Sequence, residues 1–128
     1  MTVSTTDIYW VSGILEGEGC FTLRNSTGAC RKIPVISVPM TDKDVMDRVA
    51  KITNSKCYGP YKRPGKDMYR IDMVAFKAVQ WMMTVYTVMG HRRKGRILEI
   101  LEYWKNTPKR GHHQSRKKCQ TTGRFVGS

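Results

Sequence analysis

Two glutamates near the start of the chain are the strongest candidates for chemistry. Residues 10–21 read WVSGILEGEGCF, in which Glu16 and Glu18 alternate with glycines. Apolar residues at helical spacing precede them, so this stretch is expected to end a helix and lead into a strand. Glu18 would then lie at the C-terminal end of the helix, where the macrodipole makes a carboxylate unfavourable. A cation bound beside Glu18 would relieve that cost.

The same stretch contains a row of small residues. Gly13 and Gly17 are four positions apart and therefore share a helix face. Small residues let a second helix approach closely, a steric effect best documented in membranes. Gly17 is costly inside a helix, which indicates that the space is used. We therefore expect Ser12, Gly13 and Gly17 to form a packing face; the plainer alternative is that the glycines only end the helix and both glutamates are solvated.

The order of residue types from Val11 to Gly19 is apolar, small, Gly, apolar, apolar, acid, small, acid, Gly. This order resembles the nine-residue signature of the LAGLIDADG homing endonucleases, with Val for the leading Leu, Ser for Ala, and Glu for Asp at both acids. In that family the signature helices of two domains pack together, and the last acid of each binds a divalent metal at the cleavage site. The resemblance implies that Glu18 is a metal ligand, whereas Glu16 is interpreted as a structural residue that caps or pairs locally.

Length and composition indicate one globular domain. The chain has 128 residues, of which 40% are hydrophobic and 26% charged. No apolar run reaches the length of a membrane span, and the first ten residues lack the pattern of a secretory signal. Four cysteines without paired spacing disfavour a zinc ribbon or a disulfide framework. We expect free thiols and a location in the cytoplasm, or in an organellar or host-cell compartment that contains DNA, without secretion.

The charge points to a polyanionic partner. Lys and Arg number 23 against 10 Asp and Glu, a net charge of +13. An acidic membrane surface is the competing target, but no basic amphipathic helix with a strong apolar face stands out. Nucleic acid is therefore the favoured partner.

Hydrophobic periodicity predicts the element order αββαββαα. Helices are expected over 7–17 with Thr6 or Asp7 as N-cap, over 41–53 with Thr41 as N-cap, and over 75–89 and 92–104; strands are expected from Cys20 and over 31–38, 57–62 and 67–73. The apolar stripe of the third helix is expected to be core: Phe76, Val79, Met82, Met83, Tyr86 and Met89.

This order predicts an α+β domain with a four-stranded antiparallel sheet and helices on one face, over residues 1–104. Residues 105–128 are rich in Lys, Arg, Gly and Ser and are expected to form a flexible basic tail. His112, His113 and Cys119 match no strong metal-site spacing and are assigned to this tail. The chain has no internal repeat and so one copy of the motif.

The predicted topology is also that of the LAGLIDADG core, in which the uncovered sheet face straddles the DNA major groove. Arginine, lysine, serine and threonine on such a face can contact base edges and phosphates. Strand alternation and the two hairpins nominate Thr22, Arg24, Ser26, Arg31, Ser37, Lys62, Arg63, Lys66 and Arg70. This side is expected to be almost free of acids. Ile33 and Val35 share the face and would meet thymine methyl groups or mark a bulge, and the alternative for any single polar residue is a solvated surface.

The resemblance further implies a basic residue near the active site at the start of the last helix. Lys94 is the first choice and Arg93 the second, to stabilise charge that develops at the phosphate, with a phosphate-positioning patch as the alternative. His91 is a less favoured base. Many family members carry a polar residue, often Gln, just before the middle helix, where this chain has Met40.

One carboxylate is a thin ligand set for a hard divalent cation such as Mg²⁺. Two chains that each supply Glu18 across a two-fold axis would complete it, which predicts a homodimer on a nearly palindromic site. The sequence therefore predicts a metal-dependent, site-specific endonuclease of double-stranded DNA, with no small-molecule cofactor and no membrane partner. The alternatives are a cleavage-inactive binding protein on the same scaffold (an RNA splicing maturase or a DNA-binding regulator) and a basic RNA- or ribosome-bound protein.

Overall fold

The computed structural model describes residues 3–25 and 32–107. In chain order these form α1 (Thr5–Glu18), β1 (Cys20–Asn25), β2 (Lys32–Met40), α2 (Lys43–Thr53), β3 (Cys57–Arg63), β4 (Lys66–Val74), α3 (Ala75–Val85), a 3₁₀ turn (Tyr86–Val88) and α4 (His91–Lys105). The predicted α+β class and the order αββαββαα are confirmed. The predictions for Ser26, Arg31 and the tail from residue 108 onward, with His112, His113 and Cys119, lie outside the described residues.

The four strands form one antiparallel sheet in the order β1-β2-β4-β3. Two hairpins, β1–β2 and β3–β4, therefore meet side by side, with β2 and β4 at the centre. The β3–β4 register shifts between Tyr58 and Tyr61. Gly59 lies in this irregularity at φ +123°, and an added Cβ would approach the Met68 carbonyl oxygen to 2.8 Å, so only glycine fits there.

One face of the sheet builds the core. Alternate strand residues such as Ile36, Ile71 and Met73 are fully buried and pack with helix residues such as Leu15 and Ile100. Their strand neighbours face away from these helices, and no helix of the described residues packs on the second sheet face, which we call the uncovered face. Within residues 3–25 and 32–107, no helix has both the length and the apolar character needed to cross a bilayer.

The helix starts differ from the prediction by a few residues. Ser4 is the N-cap of α1, and its side-chain oxygen accepts a hydrogen bond from the Asp7 backbone N–H at 3.0 Å. Thr6 and Asp7 were therefore wrong as N-caps, because a capping hydroxyl must precede the N–H that it accepts from by about three residues. Asp42 rather than Thr41 is the N-cap of α2, without a side-chain capping bond.

The third helix is shorter than predicted. It ends at Val85, the 3₁₀ turn follows, and Gly90 is the N-cap of α4. The polypeptide thus leaves the helix at Val85, four residues earlier than the expected end at residue 89. The start of α4 lies next to the end of α1, where the Gly90 N–H donates to the Glu16 carboxylate.

The apolar stripe of α3 is wider than its buried face. Val79 and Met82 are buried as predicted, but Phe76 is 56% exposed and Met83 64% exposed, so their assignment to the core was wrong. Positions three, four and seven apart span a broad arc of a helix, and only its centre meets the sheet. Phe76 instead contacts Trp104 of α4 edge to face, with ring centroids 5.3 Å apart.

Replacing Gly19 with Ala is expected to destabilise the protein, because the new Cβ would lie 2.8 Å from the Leu15 carbonyl oxygen and 3.0 Å from the Leu15 Cα. Overpacking of this kind costs about 1–3 kcal/mol. Gly95→Ala in α4 is the matched control: its Cβ would meet nothing within 4 Å, and it should stabilise by about 0.5–1 kcal/mol. Urea unfolding measures both free energies, and equal effects would contradict the steric argument.

Candidate functional site

Glu18 is the last residue of α1, and its side chain is exposed. The helix ends at Gly19, whose backbone N–H donates to the Leu15 carbonyl at 2.9 Å. Among residues 3–25 and 32–107, Glu18 has no hydrogen-bond or ion-pair partner. An unpaired carboxylate therefore stands at the negative end of the helix dipole, which favours a cation beside it.

Glu16, by contrast, is engaged on both oxygens. Its Oε1 accepts a hydrogen bond from the Gly90 backbone N–H at 2.7 Å, and its Oε2 lies 3.5 Å from Nε of Arg93. Gly90 begins α4, so the Glu16 carboxylate caps the positive end of that helix from 74 residues away. The contact is long-range rather than the local cap or pair expected from the sequence.

Two arginines of α4 hold the edge strand β1 in place. Arg93 donates from Nη1 to the Gly19 carbonyl at 2.6 Å, and Arg96 donates from Nε to the Phe21 carbonyl at 3.1 Å. Phe21 belongs to β1, an edge strand of the four-stranded sheet, and Gly19 lies just before it. The Arg93 side chain is only 15% exposed. Arg93, the second choice of the sequence analysis for stabilising charge at the phosphate, thus makes internal contacts that join the end of α1 to α4.

A basic groove lies between the start of β1 and the first half of α4. Its volume is about 630 Å³, and it is lined by Gly19, Cys20, Phe21, Arg92, Arg93, Gly95, Arg96 and Glu99. It begins at the residue after Glu18 and carries three arginines, so it suits an anion. Lys94 lies in the first turn of α4, half-buried, with Nζ 5.7 Å from the centroid of the Tyr86 ring. Lys94 has no carboxylate partner in the described part of the chain.

The three residues expected to form the packing face of α1 do not all face the same way. Gly13 and Gly17 are exposed, and a Cβ added to either would meet nothing within 4 Å. Ser12 is 4% exposed and donates to the Ile8 carbonyl at 2.7 Å, so it faces the interior of its own chain. Tyr9 lies one turn before Gly13 and is 60% exposed. The sequence analysis did not include it in the expected packing face. Its spacing of four from Gly13 was the available signal.

The uncovered sheet face carries most of the polar residues nominated for it. Arg24 and Arg70 are exposed, and Thr22 and Ser37 are half-buried. Val35 pairs with Thr22 and Val74 and is completely buried, so the expected contact of Val35 with a thymine methyl group is not open to it.

At the β3–β4 turn, the register separates the basic residues. Arg63 pairs with Lys66, and Lys66 is an even number of positions from Arg70, so all three share the uncovered face. Lys62 pairs with Asp67 in the register and therefore belongs to the opposite side of the hairpin, where its Nζ lies 3.2 Å from Asp67 Oδ1. Lys62, which the sequence analysis nominated with Arg63 and Lys66 around this turn, thus lies on the other face of the hairpin from Arg63, Lys66 and Arg70.

The uncovered face is not as poor in acids as expected. Asp72 on β4 is 12% exposed, and its Oδ2 lies 3.3 Å from Nη2 of Arg70 and 3.6 Å from Nη2 of Arg24. Its Oδ1 is buried and accepts no hydrogen bond from the described residues. Strand alternation would have placed Asp72 beside Arg70, two residues earlier, so the signal was present in the sequence.

No group of three or more His, Cys, Asp or Glu side chains that could hold a metal ion occurs among the described residues. The described part of one chain thus offers Glu18 as a single unpaired carboxylate at this site. Cys20 and Cys57 are unpaired thiols.

Two titratable groups near the start of α2 have shifted pKa values. The hydrogen bond to Asp47 raises the pKa of Lys43, and burial raises the pKa of the Cys57 thiol, with the nearby Asp47 charge adding to the effect and Lys43 opposing it. Both groups therefore stay protonated at neutral pH, and neither is an activated nucleophile.

No protein-family model and no curated protein matches the sequence. Solved structures do match in three dimensions. The homing endonuclease I-CvuI, in complex with its target, aligns with a TM-score of 0.62 at 12% identity over 96% of this chain and 100% of that one. The group I intron-encoded homing endonuclease I-CeuI, complexed with DNA, aligns with a TM-score of 0.61 at 14% identity over 83% of this chain.

The LAGLIDADG meganuclease I-CpaMI, bound to uncleaved DNA, aligns with a TM-score of 0.57 at 14% identity over 77% of this chain. This chain spans 58% of the I-CeuI chain and 37% of the I-CpaMI chain. At such low identities the shared property is the fold. The chain therefore has the fold of the LAGLIDADG homing endonucleases, which confirms the resemblance first carried by Val11 to Gly19.

Proposed function

We propose that this protein is a site-specific endonuclease of double-stranded DNA that acts as a homodimer and depends on a divalent metal ion. The observation that carries the proposal is Glu18, an exposed carboxylate without an intramolecular partner in the described residues, at the end of the signature helix. The similar structures I-CvuI and I-CeuI are homing endonucleases in complex with their target and with DNA. The activity of these two proteins supports the same activity for this chain.

The donor chemistry at Glu18 fits Mg²⁺ or another hard divalent cation. Such ions take oxygen ligands and keep several waters, so one carboxylate from each of two protomers, with DNA phosphates, forms a sufficient set. A bound ion would neutralise phosphate charge and acidify a coordinated water. The protein's own contribution is to present Glu18 at a fixed position, without a partner among the described residues.

The contacts of Glu16 and Arg93 supply that fixed position. They tie the last turn of α1 and the carbonyl of Gly19 to the start of α4. We therefore assign Arg93 a positioning role, and assign charge stabilisation at the phosphate to Lys94, which has no carboxylate partner in the described chain. In the hydrolysis a water oxygen bonds to phosphorus, one P–O ester bond breaks, and the leaving oxygen takes up a proton.

The dimer contact is proposed for the exposed stripe of α1 that contains Gly13 and Gly17. Both positions are open in the protomer, so a second α1 can approach backbone to backbone there. Tyr9 extends the stripe by one turn and offers a large amphipathic side chain. Two-fold symmetry about this contact brings the two Glu18 residues toward one another, because each ends its helix just beyond Gly17.

We assign the binding of double-stranded DNA to the uncovered sheet face. The net charge of +13 attracts the phosphate backbone, and Arg24, Arg63, Lys66 and Arg70 present donors at the surface.

Glu18→Gln is expected to lower Mg²⁺-dependent cleavage by at least about 100-fold, since it removes the carboxylate charge and keeps the side-chain shape. A randomised duplex library incubated with Mg²⁺ first identifies the target, and cleavage of that target by each variant is then measured. Glu16→Gln is the matched control: it retains an acceptor for the Gly90 N–H and loses only the Arg93 ion pair. It should reduce cleavage far less.

Unchanged cleavage by Glu18→Gln would overturn the proposed metal ligand. Wild-type protein that retains duplexes without cutting them would instead identify a binding protein on the same scaffold.

Gly13→Leu is expected to give a folded monomer that no longer cleaves, because the new side chain points into open space in the protomer and blocks close approach of a second helix. Light scattering measures the mass, and circular dichroism with thermal unfolding checks the fold. Gly95→Leu, the same substitution at another open helix position, should leave the oligomeric state unchanged. A dimeric Gly13→Leu variant would exclude this face as the interface.

A further inference from the structure

Three charged side chains form a compact group on the uncovered sheet face. Asp72 of β4 lies between Arg24 of β1 and Arg70 of the same strand, with one carboxylate oxygen 3.6 Å and 3.3 Å from their Nη2 atoms. The carboxylate is 12% exposed, whereas the guanidinium side chains are 47% and 46% exposed. The Asp72 carboxylate is thus covered by the two guanidinium groups, which face the solvent.

This arrangement prevents Asp72 from reading a base directly. Its Oδ2 is shared by two guanidinium groups, and its Oδ1 is buried. A carboxylate that accepts from cytosine N4 would need an oxygen at the surface. Asp72 can therefore act on a ligand only through Arg24 and Arg70.

Each arginine keeps donors for a ligand after pairing with Asp72. A guanidinium has five N–H donors in a planar fork, and the ion pair uses one nitrogen of each group. Arg70 is further restrained by Tyr61, with its Cζ 5.9 Å from the ring centroid. An arginine that is already oriented loses less conformational freedom when it binds, so it can discriminate better.

The ligand chemistry that matches such a fork in the major groove is guanine, which presents O6 and N7 as adjacent acceptors. A phosphate would also accept from an arginine, but a carboxylate beside the arginine lowers the local positive charge and so disfavours a contact that depends on charge alone. The carboxylate does not remove the directional hydrogen bonds that the remaining arginine N–H groups can donate to a base. The group therefore suits base recognition better than backbone attachment.

We propose that Asp72 is a positioning residue for sequence recognition, which holds Arg24 and Arg70 so that each donates to a guanine in the major groove. The inference rests on the proposed function, because it requires double-stranded DNA on the uncovered sheet face. It adds a specificity determinant that takes no part in the cleavage chemistry.

The test is selection of bound duplexes from a randomised library in the presence of a chelator, so that cleavage removes no DNA. Wild-type protein should select guanine at the positions whose preference Arg24→Ala and Arg70→Ala each abolish. Asp72→Asn should relax the same positions, by about 5- to 150-fold in relative affinity for guanine over the other bases, while total DNA binding is kept or strengthened. Circular dichroism confirms that each variant is folded, and Asp72→Ser serves if the Asn variant is not.

Asp67→Asn is the matched control, because it removes the same charge from the same strand at the exposed pair with Lys62. It should leave those guanine preferences intact. Retained guanine preference in Asp72→Asn, or equal loss in Asp67→Asn, would overturn the inference and leave the proposed function standing. A wild-type protein that selects no sequence at all would overturn both.

Discussion

The contact between the end of α1 and the start of α4 is the constraint on which the geometry of the site depends. The Glu16 carboxylate lies at the positive end of α4, where it satisfies an otherwise unpaired N–H, and Arg93 lies at the negative end of α1, where it satisfies the Gly19 carbonyl. Each helix end thus receives a group of opposite charge from the other element. The Gly90 N–H is used by Glu16, and the Arg93 guanidinium is used by Glu16 and the Gly19 carbonyl. Glu18 has no partner within the described chain. Two acids separated by one residue therefore have different surroundings.

The charge of the protein is organised differently in the groove beside Glu18 and on the uncovered sheet face. Around the start of β1 and α4, arginines outnumber acids and line a groove that suits an anion. On the uncovered sheet face, Asp72 reduces the charge of Arg24 and Arg70 without removing their donors. A net charge of +13 explains attraction to a polyanion but carries no information about base sequence. Orientation of individual donors is what distinguishes one sequence from another.

Local patterns in the sequence were sufficient for the element order, because strand alternation and helical periodicity reflect burial over a few neighbouring residues. They located all four strands, the signature helix and the position of Glu18 at its end. They failed where the outcome depends on contacts distant in sequence. The use of Arg93 by Glu16 and Gly19 spans more than 70 residues, as its hydrogen bond to Gly19 crosses 74. The exposure of Phe76 and Met83 depends on where the sheet ends beneath α3.

The glycines of the signature do not all serve the protomer. At Gly19 a Cβ would collide with the Leu15 backbone, so the fold of one chain explains that glycine. At Gly13 and Gly17 a Cβ would meet nothing within 4 Å, so no contact among the described residues of the protomer explains their lack of a side chain. Each nevertheless costs the helix about 0.5–1 kcal/mol relative to alanine. The proposed dimer would place a compensating contact on the exposed face that these two glycines share. In that proposed dimer a second α1, related by two-fold symmetry, would pack against this face and would also bring a second Glu18 carboxylate toward the first for metal binding.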